Sequence, residues 1–354
     1  MRLFFYLVCL LSCSWQPVSA GGPYGDFSVP ASNTYQSFFV PHEDELGATQ
    51  SNTYFTGISG NYIVGYSSAV NNATSATGFL YDLSRGSFVR YSVPQSTATY
   101  LLGVAGSNLV GTYIDGFGVA QGFSVSYAAS SRSFQNLTSY SSPGASSTLL
   151  SGIASSGQLV GSSVSSTSGQ LSANSFATGA GASTAYNYAG ASNTYGYGVS
   201  TGGIMVGRQV TSGITSGYAY STSQGGLITS SNSSLISVQS SVSGGSPLDT
   251  YSWGISPNGS TAVGYYKEAG AADQSFVFNL AAGTFTDFFN YGDNSITPTY
   301  ARGVDGDAIV GYYLDSVSGT YKGFLSGVGV PEPSTGALLG FVSVLALLFR
   351  RRLR

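Results

Sequence analysis

The stretch TYARGVDGDAIVGYY, residues 299–313, decides the fold of this 354-residue chain. Two runs of aliphatic and aromatic residues flank the turn sequence at 305–307, a pattern typical of a β-hairpin. A threonine, a glycine four residues later, an isoleucine or valine, a turn and a Val-Gly pair recur in this order in six places. The threonines that begin the copies lie 46 to 56 residues apart, at Thr53, Thr99, Thr148, Thr194, Thr250 and Thr299. This spacing indicates repeated β units, here numbered 1 to 6.

Each unit continues with a third strand-like run, such as TGFLYDL at 77–83 or QSFVFNL at 274–280. Most units add a fourth, such as SFVRYSV at 87–93. Four short strands per roughly 45–50 residues, with no helical period, are typical of a propeller blade. The sequence therefore predicts an all-β, six-bladed β-propeller of four-stranded blades over residues 21–327.

The sixth unit stops after its third strand, near residue 327. Strand-like segments precede the first unit, DFSVP at 26–30 and QSFFVP at 36–41. We expect an N-terminal strand to complete the last blade, because closure removes two open sheet edges. A β-solenoid is the alternative architecture.

The six units resemble the extracellular repeats named for a His-Ala-Phe strand, found in exported bacterial proteins. The resemblance lies in the hairpin and in the following Gly-Phe-Leu strand, and it covers most of residues 53–327. It implies export and a propeller-like fold. Any role specific to the histidine is absent, because other residues replace it. These residues are Thr77, Gln121, Asn174, Ser216, Gln274 and Lys322.

The pattern of residues 1–20 predicts a secretory signal peptide. Arg2 supplies a positive start, an apolar run follows, and small residues precede a cleavage site between Ala20 and Gly21. A buried N-terminal helix and a lipoprotein-type site at 10–13 are the alternatives. Both cysteines, Cys9 and Cys13, lie in this segment. The mature chain is therefore predicted to have no disulfide and no cysteine-bound metal.

Residues 328–354 combine a Pro-Glu-Pro motif, an uncharged apolar run at 336–349 and an arginine cluster. As a helix the run spans about 21 Å, against roughly 30 Å of membrane hydrocarbon. Arginines extend such a reach by snorkelling and mark the cytoplasmic side. The segment thus predicts a single C-terminal transmembrane helix. The motif is Pro331, Glu332 and Pro333, and the cluster is Arg350, Arg351, Arg352 and Arg354.

This tail resembles the PEP-CTERM sorting signal. The resemblance implies handling by the membrane enzyme exosortase near the Pro-Glu-Pro motif, in a Gram-negative bacterium that exports polysaccharide. We therefore expect an exported protein, held transiently in the membrane by its tail and then placed at the cell surface or in the extracellular matrix.

Candidate catalytic and metal-binding residues are few. The single histidine, His42, precedes Glu43, Asp44 and Glu45, and consecutive strand residues point to opposite faces, so a solvated acidic loop is favoured over a metal site. Asp305 and Asp307 occupy a predicted hairpin turn. No metal or cofactor is predicted.

Four aspartates are the candidate residues for a glycosidase site, because a glycosidase needs two carboxylates facing each other across a cleft. They are Asp82, Asp115, Asp287 and Asp315. Asp115 and Asp315 occupy matching repeat positions, which favours a structural role. We predict no catalytic residues.

Composition bears on partners. Residues 21–330 hold seven basic and 14 acidic residues, a balance that repels nucleic acid. The chain has 26 tyrosines and 20 phenylalanines, which exceeds what a disordered, solvating tract contains. Aromatic rings stack on sugars, and Ser, Thr and Asn hydrogen-bond sugar hydroxyls. The interpretation is a non-enzymatic protein that binds or scaffolds exopolysaccharide; a secreted polysaccharide hydrolase or lyase and a self-assembling surface protein are the alternatives.

Overall fold

The fold of the protein is all β. A computed structural model describes residues 20–22, 25–27, 35–38, 40, 51–70, 72–142, 144–167, 170–179, 182–225, 227–239, 247–291 and 297–326. Among these residues the only helical element is a 3₁₀ turn at Thr222–Gln224. None of their helices has the length and apolar character needed to cross a membrane.

The strands form sheets that follow the repeat units. A two-stranded ribbon, β1 (Ala20–Gly22) and β2 (Gly25–Phe27), and the separate β3 (Tyr35–Phe38) precede them. Sheet 1 comprises β4 (Ser51–Ser59), β5 (Tyr62–Ala69), β6 (Asn72–Asp82) and β7 (Ser87–Tyr91). Sheet 2 comprises β8 (Ala98–Ala105), β9 (Asn108–Ile114), β10 (Ala120–Ala128) and β11 (Ser133–Tyr140).

Sheet 3 departs from the four-stranded pattern. It comprises β12 (Ser147–Ile153), β13 (Leu159–Thr167), β14 (Gln170–Gly179), β15 (Ala182–Tyr188) and a short fifth strand at Leu227–Ile228. Sheet 4 comprises β16 (Asn193–Val199), β17 (Ile204–Thr211), β18 (Ile214–Ser221) and β20 (Ser233–Ile236), and Leu227–Ile228 is β19. Unit 4 has the longest step to its successor, 56 residues, and its extra residues supply β19, which pairs in parallel with the edge of β15. This pairing covers an outer edge that would otherwise be open.

Sheets 5 and 6 complete the set. Sheet 5 comprises β21 (Asp249–Ile255), β22 (Thr261–Lys267), β23 (Gln274–Asn279) and β24 (Thr284–Phe289). Sheet 6 comprises β25 (Thr299–Asp305), β26 (Ala308–Asp315), β27 (Thr320–Ser326) and β3. The structure is thus a β-propeller with five blades of four strands, and the expectation of six such blades is wrong for unit 3, whose sheet has five.

An N-terminal strand closes the last sheet, as the sequence predicted. β3, from the segment at 36–41, pairs antiparallel with β27, with Phe38 opposite Gly323. The other candidate segment contributes β2, which pairs with β1 and not with sheet 6. The first and last units also touch, because a Cβ added to Gly303 would lie 2.9 Å from the Cα of Gly57. The chain is therefore a closed ring and not a solenoid.

The repeated threonines fasten each inner strand to the preceding outer strand. All six are buried. The hydroxyl of Thr250 accepts a hydrogen bond of 3.0 Å from the backbone N–H of Val238, and the others do the same at 2.8 to 2.9 Å. For Thr53 the donor is Val40, next to the closing strand. One side chain thus satisfies a backbone donor in every unit, and this hydrogen bond is fully buried in units 1, 2 and 5.

The Val-Gly glycine is required by the approach of a carbonyl. A Cβ added to Gly264 would lie 1.9 Å from the carbonyl oxygen of Tyr251 and 2.7 Å from the ring of Phe276. The apolar core lies between adjacent sheets. One cluster, for example, joins Leu80 of sheet 1 to Leu101 and Phe123 of sheet 2.

Several predicted features lie outside the described residues. These are the signal peptide up to residue 19, the acidic segment with His42, Glu43, Asp44 and Glu45, the motif Pro331, Glu332 and Pro333, the apolar run, and Arg350, Arg351, Arg352 and Arg354. Ala20 and Gly21, the predicted cleavage site, lie in β1. Cleavage there stays a prediction, as do the domain boundaries at residues 20 and 327.

Candidate functional site at the axial opening

A β-bulge interrupts the inner strand of every sheet at the same repeat position. In sheet 5 the pairing of β21 with β22 shifts between Ser252 and Gly254, so Trp253 is skipped. The other inner strands shift at the equivalent place. Bulges re-aim a side chain and are frequent beside functional sites. The six skipped residues are Thr56, Leu102, Ser151, Tyr197, Trp253 and Arg302.

These six residues meet at the axis of the ring. Together with the glycine and the Ile or Val that follow each of them, they line one cavity, here called the axial opening. Its volume is about 70 Å³, which accommodates several water molecules. Every unit contributes three consecutive residues to this lining.

Units 4 to 6 place a continuous stack on one side of the axial opening. The rings of Tyr197 and Trp253 are parallel to within 18°, with centroids 3.7 Å apart. The guanidinium carbon of Arg302 lies 3.6 Å from the centroid of Trp253. A cation held this close to an indole is attracted by the ring quadrupole, by about 0.5–2 kcal/mol.

Units 1 to 3 fill the same bulge positions with smaller side chains. Thr56 donates its hydroxyl to the carbonyl oxygen of Leu101 at 2.7 Å, so its polar group serves the backbone. Leu102 and Ser151 add no ring. The axial opening therefore has an aromatic half and an open half.

Cross-strand pairs extend the aromatic surface outward from units 4 to 6 and continue it into unit 1. Tyr54 stacks on Tyr66 at 4.6 Å, and the equivalent pairs in units 5 and 6 stack at 4.7 and 4.9 Å. In unit 4 the guanidinium carbon of Arg208 lies 4.5 Å from the ring centroid of Tyr195. In unit 3 the same positions hold Leu149 and Ser162, without a ring. We call this set the aromatic arc: Tyr54, Tyr66, Tyr195, Tyr197, Arg208, Tyr251, Trp253, Tyr265, Tyr300, Arg302 and Tyr312.

Burial affects the titration of four phenols of the arc. Burial raises the pKa of Tyr197 to about 12, although the charge of nearby Arg208 opposes this rise. Burial also raises the pKa values of Tyr66, Tyr265 and Tyr300 above the ordinary value of 10.0. These four hydroxyls therefore remain protonated at neutral pH and both donate and accept hydrogen bonds.

The two arginines of the arc have no carboxylate partner among the described residues. The ion pairs found there join Arg85 to Asp82, Lys267 to Asp273 and Lys322 to Asp315. The Nη2 of Arg302 donates to the hydroxyl of Tyr312. Three nearby donors are buried without a hydrogen-bond partner in the described structure: Nε of Arg208, Nε1 of Trp253 and Nε of Arg302.

The aspartates that sequence singled out lie in different sheets. Asp115 accepts hydrogen bonds of 2.9 Å from the backbone N–H groups of Phe117 and Val119. Asp315 accepts from Ser318 at 2.7 Å and pairs with Lys322, in the equivalent turn of sheet 6. Their matching positions thus have the structural role that the sequence predicted.

The remaining aspartates lie at other positions of the sheets. Asp82 accepts from Ser84 and pairs with Arg85 in the turn after β6. Asp287 lies on the outer strand β24, where burial raises the pKa of its carboxyl. Asp305 and Asp307 lie at the predicted hairpin turn, and Asp305 accepts a 2.7 Å hydrogen bond from the backbone N–H of Gly60 across the ring closure.

No three His, Cys, Asp or Glu side chains are grouped as metal ligands within the described part of the chain. Sequence reasoning missed the arc itself. A signal for it exists, since the residue before each repeated glycine is the position that varies most between the repeated threonine and the turn.

The comparisons add little to this geometry. No family model and no curated protein matches the chain. Among solved structures it is similar to TolB from Acinetobacter baumannii, with 10% identity, a TM-score of 0.44, and coverage of 79% of this chain and 64% of that one. A Trypanosoma rangeli sialidase in complex with sialic acid matches with 10% identity, a TM-score of 0.46, and coverage of 84% and 59%.

The β-propeller domain of the Trilobed protease from Pyrococcus furiosus matches with 8% identity, a TM-score of 0.43, and coverage of 80% of this chain and 100% of that one. The chain spans less than two thirds of the first two relatives. At these scores the fold assignment rests on the sheet topology and not on the matches.

Proposed function

We propose that the protein binds carbohydrate at the axial opening. The aromatic arc beside an open half of small residues is the observation that carries this proposal. Aromatic walls with a few converging polar groups are the usual lining of a small-ligand site. Because the axial opening itself holds only about 70 Å³, against roughly 300–1,000 Å³ for a pocket that encloses its ligand, the proposed sugar lies across its mouth. Sugar C–H faces pack on rings, and the neutral phenols and Ser151 pair with sugar hydroxyls.

The site is a binding site and not a catalytic one. Asp82, Asp115 and Asp315 direct their carboxylates to their own turns, and the arc contains no carboxylate. A polysaccharide hydrolase or lyase is the rival function, and release of reducing ends from a polymer distinguishes it.

The architecture and the chain ends set the context of this binding. The five-stranded sheet 3 serves as a sixth blade, since its inner strand contributes to the axial opening as the others do. Residues 1–20 and 328–354 direct export and exosortase sorting, so the exported body presents its site to exopolysaccharide at the cell surface or in the matrix. Fractionation of cells with and without residues 350–354 tests the sorting; a cytoplasmic protein in both contradicts it.

Retention of the purified full-length protein on immobilised polysaccharides tests the binding. We expect retention by at least one polymer and a loss of about tenfold or more for Trp253→Ala, because hot spots are typically buried aromatics. The control is Phe117→Ala, which removes a ring that is 95% exposed and outside the arc.

Equal binding by wild type and Trp253→Ala contradicts the site. Release of reducing ends from a polymer would mean that the protein is a hydrolase or lyase and not only a binding protein. Oligomers without retention on any polymer favour a self-assembling protein.

A further inference from the structure

We propose that the axial site selects a carboxylate-bearing sugar, recognised by Arg302 and Arg208. This inference rests on the proposed function and assigns its ligand class. It starts from two arginines whose partners are aromatic rings and phenols, with no carboxylate among the described residues.

The first step is charge. Arg302 and Arg208 are half-buried, and each lies over aromatic rings instead of a carboxylate. A cation withdrawn from water is costly unless an anion pairs with it. Two carboxylates of the same unit have other partners. Asp273 lies 3.9 Å from the ammonium of Lys267 and interacts with Tyr300 of the arc, and Asp249 accepts a 2.8 Å hydrogen bond from the backbone N–H of Thr215.

The second step is the set of unpaired donors. The Nε atoms of both arginines and Nε1 of Trp253 are buried without an acceptor. An unsatisfied buried donor costs about 1–3 kcal/mol, so such groups indicate a missing ligand or water. Trp253 and Arg302 both line the axial opening, where a ligand oxygen or a water relaying to it supplies acceptors.

The third step is the placement of the cations around the stack of Tyr197 and Trp253. Arg302 lies against Trp253, and Arg208 adjoins the Tyr197 hydroxyl. A guanidinium presents a planar fork that matches a carboxylate, and it stacks on aromatic faces at the same time. A pyranose carrying a carboxylate offers both partners, an apolar ring face and an anion.

The fourth step is the contrast with the rest of the surface. Residues 21–330 carry twice as many acidic as basic residues, so the surface as a whole repels a polyanion. Retention of an acidic polymer must therefore come from a local site, and added salt must screen it.

Two chemically matched polymers test the proposal. Affinity electrophoresis of the full-length protein is run in polygalacturonate and in the same polymer after its carboxylates are reduced to alcohols. We expect the wild type to bind polygalacturonate at least tenfold more tightly than the reduced form. Arg302→Gln and Arg208→Gln should each lose at least tenfold for polygalacturonate and less than threefold for the reduced polymer.

Two controls separate recognition from folding. Arg132→Gln removes an exposed arginine that contacts Ser87, away from the arc, and should bind both polymers as the wild type does. Arg208→Lys retains the charge without the fork and should recover part of the loss. If Arg302→Gln lowers the melting temperature, its loss of binding reflects unfolding as well as recognition. The test then rests on Arg208→Gln and Arg208→Lys.

Equal wild-type affinity for the two polymers overturns the carboxylate preference and leaves carbohydrate binding intact. If the arginine variants lose the same affinity for both polymers, the carboxylate preference is likewise overturned and carbohydrate binding is left intact. Binding to neither polymer, nor to any other in the immobilised panel, overturns the proposed function together with this inference.

Discussion

The two halves of the axial opening share one backbone and differ in side chains. Both halves have the same bulge in the inner strand, at Leu102 in unit 2 and at Trp253 in unit 5. Both have a Val-Gly glycine whose added Cβ would meet a carbonyl oxygen, at 2.0 Å for Gly111 and 1.9 Å for Gly264. At the axis the residue presented at the bulge changes, from Thr, Leu or Ser in units 1 to 3 to aromatic or cationic in units 4 to 6. Farther out, unit 3 also lacks the ring pair that units 1, 5 and 6 have.

This contrast separates two kinds of repeat position. The threonine and the glycines each satisfy a geometric demand that recurs in every unit, so their identity recurs. The bulged residue is skipped by the strand pairing and faces the cavity, so the pairing itself does not dictate its identity, although Thr56 does hydrogen-bond the backbone. Variation at that position therefore marks the part of the molecule that is available for function.

The largest expected effect comes from substitutions that disrupt the scaffold, in either half of the axial opening. Gly264→Ala and Gly111→Ala should each destabilise the protein by roughly 3 kcal/mol or more, because the added methyl overlaps backbone. The matched control is Gly116→Ala, where an added Cβ meets nothing within 4 Å. Thermal unfolding by circular dichroism gives the comparison. Melting of Gly264→Ala at the wild-type temperature would contradict the symmetry of the scaffold.

Opening the ring should have the next largest effect. Removal of residues 21–40 deletes β3, which pairs with β27, and Val40, whose N–H binds Thr53. Without β3, the chain that leads into unit 1 no longer contributes a strand to sheet 6, so the ring is open between the first and last units. The whole domain should then unfold at a markedly lower denaturant concentration. The measurement is denaturant unfolding, and an unchanged midpoint would show that closure by β3 contributes little.

The buried threonines test whether the halves are equally fastened. Thr250→Val and Thr53→Val should each cost about 1–3 kcal/mol, since each leaves a buried backbone N–H without an acceptor. The exposed Thr284 provides the control substitution, Thr284→Val. Similar losses in the two halves are expected in urea unfolding. A loss confined to one half would mean that the repeat is not structurally uniform.

The scaffold was largely predictable from the sequence, for local reasons. The hairpins, the strand order within units and the closing strand follow from residue patterns that repeat along the chain. The fifth strand of sheet 3 was not predictable, because Leu227–Ile228 is a two-residue contact that joins unit 4 to unit 3. Pairings of that length leave no periodic signal.

The candidate site was predictable only in part. Aromatic abundance suggested stacking surfaces, but the same residues also fill the core, as Phe276 and Phe324 do. The bulge that brings Tyr197, Trp253 and Arg302 together is a feature of pairing register, which residue types do not reveal. The turn roles of Asp115 and Asp315 were predictable because turn chemistry is local.

Exchanging residues between the halves sharpens the comparison at the level of binding. Trp253→Ser should weaken polysaccharide binding by about tenfold, or about 1.4 kcal/mol, because it interrupts the stack between Tyr197 and Arg302. Ser151→Trp should also weaken binding, since it fills the open half. Retention on immobilised polymer measures both. Unchanged binding by both variants would mean that the halves do not differ in function.

The smallest expected effect concerns a carboxylate that serves the scaffold of unit 1. Asp82 has a side chain that is only 3% exposed. Although burial alone raises the pKa of its carboxyl, hydrogen bonds from Ser84 and Arg85 together hold that pKa below the ordinary value of 3.8.

A lowered pKa in the folded state means that the carboxylate stabilises the fold at pH values above the unfolded-state pKa. This contribution is lost as the pH falls through the lower, folded-state pKa. Asp82→Asn should therefore be less stable than the wild type at pH 7, by about 0–1 kcal/mol, and the difference should disappear once the pH falls below the folded-state pKa of Asp82. Urea unfolding at several pH values measures this difference, and polysaccharide binding at pH 7 should not change. A loss of binding without a loss of stability would move Asp82 from the scaffold to the site.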